Sequence, residues 1–481
     1  MGLGMPGRVL SVASECVPLV KTGGLADVVG ALPGALARQG WEMRVLLPAY
    51  RGLLAQAAGW VEVLAEVELF GGPGRVFAGQ VAGLAVLLLD APHLYERDGG
   101  PYAGPDGADW PDNAERFAAL AWIAARIARE GLMDGWRPQV LQCHDWQAGL
   151  APAYLAFGGA RDVASVMTIH NIAFQGWAPA EMLGPLRLPG SEFHPGGLEY
   201  YGGLSSLKAG LVTADAITTV SPNYAAELMR EEFGMGLQGV IGERADRLHG
   251  ILNGVDTDVW SPEVEAVPYS AKKMAGKAKN RAALCAEFGL QVPGPLAIVV
   301  SRLTLQKGID LIASAIGDFI AGGGGLLVLG SGDPVLEAAM QGLVAAYPGR
   351  VAVTTGYDEA LSHRMFAGGD AVLVPSRFEP CGLTQLYGLR YGTIPVVAET
   401  GGLADTVITA NPAAVAAGVA TGITFLADDG LALAQALRRL LALYADRDVW
   451  VRMQKNAMAQ DVGWDASARR YAALYESLIV R

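Results

Sequence analysis

The residues best suited to chemistry lie just past short apolar runs. In VVSRLTLQKGIDLI, Arg302 and Lys307 follow the run Leu296–Val300. A planar arginine fork and a lysine point charge together suit a diphosphate. The bland alternative is a solvated surface pair. Two cations past the carboxyl end of a buried strand favour an anionic ligand, because open α/β sheets bind ligands there. In LVPSRFEPCGLTQLYGLRYG, Glu379 precedes Gly382, Leu383 and Thr384, where a helix is expected to open. Its first N–H groups suit a phosphate, and the carboxylate suits sugar hydroxyls or a developing cation. A capping loop with an exposed Glu explains the same stretch equally well.

Two further stretches, QCHDWQAGL and MTIHNIAFQG, put His144 with Asp145 and His170 with Asn171 past apolar runs. A lone histidine is more often structural than catalytic. As a pair, His170 and Asp145 are the better candidates. There is no HExxH spacing and no DxD-type cluster, so no metal is expected. There is no GxSxG elbow for acyl hydrolysis. In KTGGLADVVGALP, Gly23 and Gly24 open a helix beside Lys21, and an anion is favoured there. An ordinary βα turn reads the same way. The hexapeptide TGGLAD occurs twice, at Thr22–Asp27 and at Thr400–Asp405. The second copy has Glu399 where the first has Lys21, and Glu399 would repel a diphosphate. The first copy is therefore expected to wall an active site and the second to support architecture.

These residues need strands and helices to hold them. Expected strands in the first half are Arg8–Ala13, Arg44–Leu47, Ala85–Leu89, Val140–Gln142, Ser165–Ile169 and Ala216–Val220. Expected helices include Leu25–Arg38, Asn113–Glu130, Gln147–Ala156 and Pro222–Arg230. The stretch ILNGVDTDVWSPEVEAVPYS breaks the alternation. It resumes with a helix near Lys277–Phe288 and strands at Leu296–Val300, Gly325–Leu329, Val351–Thr355, Ala371–Val374 and Ile394–Val397. Strand–helix alternation with continuous apolar strands implies parallel sheets covered on both faces. The expected division is a Rossmann-like N-terminal domain over 1–258 and a second over 259–460. A final amphipathic helix within 461–481 is expected to pack back on the first. Two doubly wound halves facing each other would make one deep cleft.

Composition narrows the class. The chain has 481 residues, too many for one compact domain, and 52% are hydrophobic. Of these residues 63 are glycine, well above the ~7% typical of proteins, so tight turns and close backbone approaches are expected. The net charge is −12 with no Lys/Arg run, so nucleic acid is not an expected partner. The four cysteines form no CxxC, which suits a reduced, cytoplasmic protein without structural zinc. No apolar stretch approaches the ~20 residues needed to cross a bilayer, so no membrane is expected.

KTGGLADVVGALP, DAPHLYERDGGPY, HDWQAGLAPAYL, TIHNIAFQG, LKAGL, LNGVDTDVWSP, SRLTLQKGIDL and PSRFEPCGLTQLYGLRYGT occur in this order along nearly the whole chain. Together they resemble the bacterial glycogen synthase and plant starch synthase family. The resemblance implies an α/β GT-B fold and a retaining α-1,4-glucosyltransferase. The donor would be ADP-glucose, the acceptor the non-reducing end of glycogen or another α-1,4-glucan, and no cofactor or metal would be required. By the same resemblance, Lys21 and Gly24 would lie near the donor, with Asp27 at the helix start. His170, Asn171 and Asp145 would face the glucose, and Asn253 would touch the same site. Arg302 and Lys307 would grip the diphosphate, and Tyr357 would stack on adenine. Glu379 would hold glucose hydroxyls, and Gly382, Leu383 and Thr384 would cap the phosphate. Tyr102 would be a further donor-side residue. Many related transferases carry a second Glu in an E-x7-E pattern; here that position is Tyr387, as in the synthase branch.

The rivals are a Rossmann oxidoreductase, a non-catalytic α-glucan-binding protein, and the same fold using UDP-glucose or running as a phosphorylase. The first lacks a dinucleotide glycine fingerprint. The second would not need Glu379, Arg302, Lys307 and His170 together. No phosphorylase-like cofactor-lysine block is present. Fixed cations in place of a metal at the diphosphate lead to one prediction: transfer survives exhaustive chelation. Loss on chelation with rescue by Mg²⁺ or Mn²⁺ would overturn it.

Overall fold

The computed structural model describes residues 6–57, 59–160 and 162–479. The chain divides into two compact units, Met1–Leu252 with Trp464–Arg481, and Asn253–Gly463.

The N-terminal unit is built on a nine-stranded sheet. Its order is Leu248–Gly250, Ala216–Thr219, Ala164–Ile169, Val140–His144, Gly7–Val12, Trp41–Pro48, Leu84–Asp90, Gly74–Val81 and Val61–Glu66. The first seven strands are parallel, and their apolar runs are buried because helices cover both faces. The last two are antiparallel, which departs from the all-parallel expectation. Val61–Glu66 is rich in Glu, Leu and Ala, residues that favour helix. Pairing with Gly74–Val81 overrides that preference at the sheet edge. The chain leaves the sheet in opposite directions from Gly7–Val12 and Val140–His144, so the loops after these strands flank the switch point.

The helix expected over Gln147–Ala156 is two helices, Asp145–Ala148 and Leu150–Phe157. Gly149 separates them. A Cβ there would meet Ser206 O at 2.1 Å, and one on Gly210 would meet Gly149 O at 2.8 Å. The glycines of HDWQAGL and LKAGL thus let two helices touch backbone to backbone, which is a packing role. The C-terminal helix Trp464–Ile479 lies against Gly24–Ala37 in this unit. Trp464, Tyr471 and Tyr475 share a core with Val28, Leu32 and Trp41. Tyr475 also donates to Gln142 Oε1 at 3.0 Å.

The C-terminal unit is a six-stranded parallel sheet ordered Val351–Thr355, Gly325–Gly330, Leu296–Val300, Ala371–Val374, Ile394–Ala398 and Ile423–Phe425. Numbered along the chain, this is 3-2-1-4-5-6, the dinucleotide-binding order. Its switch point lies between Leu296–Val300 and Ala371–Val374. The unit begins before the 259 expected from sequence and ends after the expected 460. Val255 N donates to Val462 O at 2.9 Å, and Val255 is buried in this unit's core.

Tyr475 fills the N-terminal unit's core from a segment distant in sequence. Tyr475→Ala should therefore lower that unit's unfolding free energy by about 3–5 kcal/mol. Chemical denaturation followed by a probe in residues 6–252 reads this out. A loss below about 1 kcal/mol would show that the helix is a passive cover.

Candidate active site

At the switch point of the C-terminal unit, two loops are drawn together by glycine. Gly308 has φ +66°, and a Cβ on it would meet Pro375 O at 1.9 Å. That approach brings Lys307 Nζ to 2.5 Å from Glu379 Oε2, which also accepts from Ser376 Oγ at 2.9 Å. Arg377 stitches the same loops. Its N–H donates to Gln306 O at 2.9 Å, and its guanidinium forks onto Asp310 at 2.7 and 2.8 Å. The carboxylates around Arg377, Asp310 before Asp428, raise its pKa despite the opposing effect of burial. Sequence reasoning missed Arg377 and Ser376. It assigned Lys307 and Glu379 to different parts of a ligand, and the structure joins them as an ion pair.

Arg302 differs. It is exposed, and among the described residues its guanidinium has no hydrogen-bond or ion-pair partner. Beyond Glu379 the chain turns at Gly382, whose φ is +72°. The helix Thr384–Tyr391 then opens with no side chain capping it, whereas Asp333, Asp358, Asp429 and Asp446 cap other helices of this unit. Ala275–Glu287 and Ile309–Ala315 are likewise uncapped, but at Thr384 the open N–H end sits at the switch point, where it can take an outside acceptor. Asn253 is buried beside Cys381, and its Oδ1 has no partner among the described residues. Tyr357 follows the edge strand Val351–Thr355 and is 76% exposed, with its hydroxyl donating to Glu359 at 2.7 Å.

The second TGGLAD braces this turn. Gly402 N donates to Glu379 O at 3.2 Å and Pro380 O at 3.0 Å. A Cβ on Gly401 would meet Glu379 O at 2.0 Å, and one on Gly402 would meet Cys381 O at 2.3 Å. Its glycines are spent on packing.

The first TGGLAD is open, since a Cβ on Gly23 or Gly24 would meet nothing within 4 Å. Its N–H groups are nevertheless partly taken. Buried Glu15 accepts from Thr22 N, from Thr22 Oγ1 at 2.7 Å and from Gly23 N at 3.1 Å. Tyr102 Oη donates to Glu15 at 2.5 Å and lies 2.7 Å from Ser14 Oγ. Burial, more than the neighbouring Tyr50 and Glu15, raises the Tyr102 pKa. The chain thus supplies its own anion where the sequence left room for a ligand's. Glu15 was overlooked, though a Glu preceding KTGG was the available signal. Lys21 is drawn onto Asp27 at 2.8 Å, both side chains partly exposed.

Across the switch point, Asp145 follows Val140–His144 with φ +53°, a conformation costing about 1–3 kcal/mol in a non-glycine residue. Its Oδ1 accepts from His170 N at 2.7 Å and Asn171 N at 3.3 Å. Asp145 thereby shapes the backbone that presents both residues. Asn171 Oδ1 turns to Ala173 N at 3.0 Å. Burial lowers the His170 pKa to about 3, so the ring is neutral at ordinary pH. The structure brings Asp145, His170 and Asn171 together, and Lys307, Glu379 and Gly382–Thr384 together.

Two doubly wound units, each with polar residues at its switch point, have the architecture of the GT-B class. Residues 8–243 match the starch synthase catalytic domain family, and residues 294–443 match the glycosyl transferases group 1 family. The chain is 70% identical to a glycogen synthase of Cereibacter sphaeroides, covering 98% of this chain and 99% of that one. It is 61% identical, with the same coverage, to a glycogen synthase of Paracoccus denitrificans. The catalytic domain of starch synthase IV from Arabidopsis thaliana, bound to ADP and acarbose, matches with TM-score 0.87 at 31% identity over 99% of this chain and all of that one. A sucrose-phosphate synthase from Thermosynechococcus elongatus shares the fold, with TM-score 0.62 at 19% identity over 98% of this chain and 99% of that one. The chain belongs to the glycogen synthase family and is a glycosyltransferase. Among the described residues, no helix is long and apolar enough to cross a membrane.

Burial raises the Asp145 pKa from 3.8 to about 7, against the lowering effect of its two backbone donors. Between these values the folded chain holds a proton that the unfolded chain has lost. Stability from this site therefore falls as pH rises from about 4 to about 7. Asp145→Asn does not titrate, so its stability relative to wild type should climb across that window and level off above it. Urea unfolding at several pH values checks the sign; a relative stability that falls with pH would refute it.

Proposed function

We propose that the chain transfers glucose from ADP-glucose to the non-reducing end of an α-1,4-glucan, with retention at the anomeric carbon. The observation that carries this reading is the grouping, at one switch point, of partner-free Arg302, Lys307 and an uncapped helix N-terminus. In a chain of net charge −12, that grouping suits the diphosphate of a nucleotide sugar. The ADP bound to the starch synthase IV relative supports adenine as the base. The relatives' name, glycogen synthase, supports a glucan acceptor.

In this reading Arg302, Lys307 and the N–H groups at Gly382, Leu383 and Thr384 stabilise charge growing on the leaving diphosphate. Glu379, already neutralised by Lys307, accepts from glucose hydroxyls. Asn253 turns its unused Oδ1 to the same ligand, and Tyr357 stacks on adenine. In the N-terminal unit, His170 and Asn171 meet the sugar and Asp145 holds them. Lys21, Gly24 and Asp27 lie on the donor side, where Tyr102 acts through Glu15. The acceptor 4-hydroxyl attacks the face the diphosphate leaves. The departing phosphate oxygen takes its proton, so no protein base is needed. Four free cysteines support a cytoplasmic setting.

The test is glucose transfer onto glycogen from ADP-glucose and from UDP-glucose, with wild type and two variants. ADP-glucose should be the better donor. Arg302→Ala should cut kcat roughly 100-fold to 1,000-fold with the fold intact. Tyr357→Ala should chiefly raise the donor KM, because stacking is equal in ground and transition states. Preference for UDP-glucose, or near wild-type turnover in Arg302→Ala, would reject the reading.

A further inference from the structure

One face of the N-terminal sheet changes character along its strands. Side chains alternate with period two, so Val9 and Ser11 share a face, as do Val140, Gln142 and His144. Val166, Thr168 and His170 lie on that same face in the next strand and its continuation. Val9, Val140 and Val166 sit in the core with the C-terminal helix. Beyond them the face turns polar while staying buried: Ser11, Gln142, His144 and Thr168 are all 0% exposed. Within this layer, Ser11 Oγ is 3.0 Å from His144 Nε2, and His144 Nδ1 is 2.9 Å from His170 Nε2. Among the described residues nothing bonds His170 Nδ1.

A neutral imidazole carries one N–H, and each of these contacts holds one proton. The rings are neutral: burial lowers both pKa values, His170 to about 3 and His144 well below its usual range, with His170 as a second cause for His144. The tautomers are therefore locked together. If Ser11 donates to His144 Nε2, then His144 donates from Nδ1 to His170 Nε2. His170 must then carry its own N–H at Nδ1. In the reverse arrangement, Nδ1 of His170 is a bare lone pair. The first arrangement is favoured twice. Imidazole nitrogen accepts hydrogen bonds better than an alcohol oxygen does. A ligand of hydroxyl and phosphate oxygens also needs a donor.

We propose that His144 and Ser11 are positioning residues, which fix the ring of His170 and its tautomer so that Nδ1–H is offered to an oxygen of the sugar nucleotide. This rests on the reading that His170 meets that ligand. His144 touches no ligand itself; it acts through His170, much as a buried partner orients a metal-bound histidine.

The experiment uses the full chain. With six histidines in the sequence, ¹⁵N-histidine labelling gives a ring spectrum in which His170 is assigned by its substitution. Ser11→Ala removes one hydroxyl and nothing else. His144→Leu removes the relay, and His144→Gln restores an N–H donor. In the ligand-free wild type, His170 should be the Nδ1–H tautomer. Ser11→Ala and His144→Leu should shift it toward Nε2–H and lower kcat roughly 10-fold to 100-fold, with donor KM little changed. His144→Gln should recover most of both. An unchanged kcat in Ser11→Ala and His144→Leu overturns the proposal whatever the tautomer does. So does a lowered kcat with the tautomer unchanged, which marks a merely structural role. Wild-type turnover in His170→Ala would overturn the underlying reading. A turnover-deficient His170→Ala beside unaffected Ser11→Ala and His144→Leu overturns only this one.

Discussion

The C-terminal site depends on one contact, the Lys307–Glu379 ion pair. Both residues sit in loops at the switch point, where two strands send the chain in opposite directions. A lone carboxylate in that mostly buried position would be costly, and so would a lone ammonium. Paired, they fix each other and leave Arg302 as the uncompensated charge. The pair forms because Gly308 lets its loop lie on Pro375 O, and Arg377 locks the two loops in register. Removing the glycine's freedom would disturb the charge arrangement without touching a charged residue.

The same six residues, TGGLAD, do different work because their surroundings differ. At Thr400–Asp405 the glycines are pressed against the carbonyls of 379–381, so any side chain would displace the turn that carries Glu379. At Thr22–Asp27 the glycines face open space, and it is Glu15, a residue outside the hexapeptide, that holds the turn. A buried carboxylate bonded to two backbone N–H groups and two hydroxyls is an internal substitute for a bound anion. It shapes the loop before any ligand arrives.

Much of this was readable from the chain. Leu296–Val300 and Ala371–Val374 are strands over the expected residues, because short uninterrupted apolar runs bounded by turn residues suit central parallel strands; the edge strand Val351–Thr355 also falls where it is expected. The edge strand Val61–Glu66 was not legible, since its pairing with Gly74–Val81 overrides a helix-favouring composition. The break at Gly149 was hidden because its cause, Ser206, lies far along the sequence. Candidate site residues were legible as polar positions just past the strand ends. Which of them pair with each other was not, because Lys307 with Glu379 and Glu15 with Tyr102 are matches made by tertiary approach.

The N-terminal sheet suggests why polar residues can be so deeply buried here without weakening the fold. Gln142, Thr168 and Thr218 bond one another across neighbouring strands, with Tyr475 Oη completing the amide of Gln142. Each group that loses water gains a partner, so burial costs little. The apolar layer beneath, shared by Val9, Val140 and Val166, supplies the cohesion. Such a layer is dry and rigid, and hydrogen bonds inside it are stronger and better aimed than in water. A histidine at the top of that layer inherits both properties. Its orientation is set from below by bonded neighbours, and its reach is upward, where the strand ends and a ligand can be met.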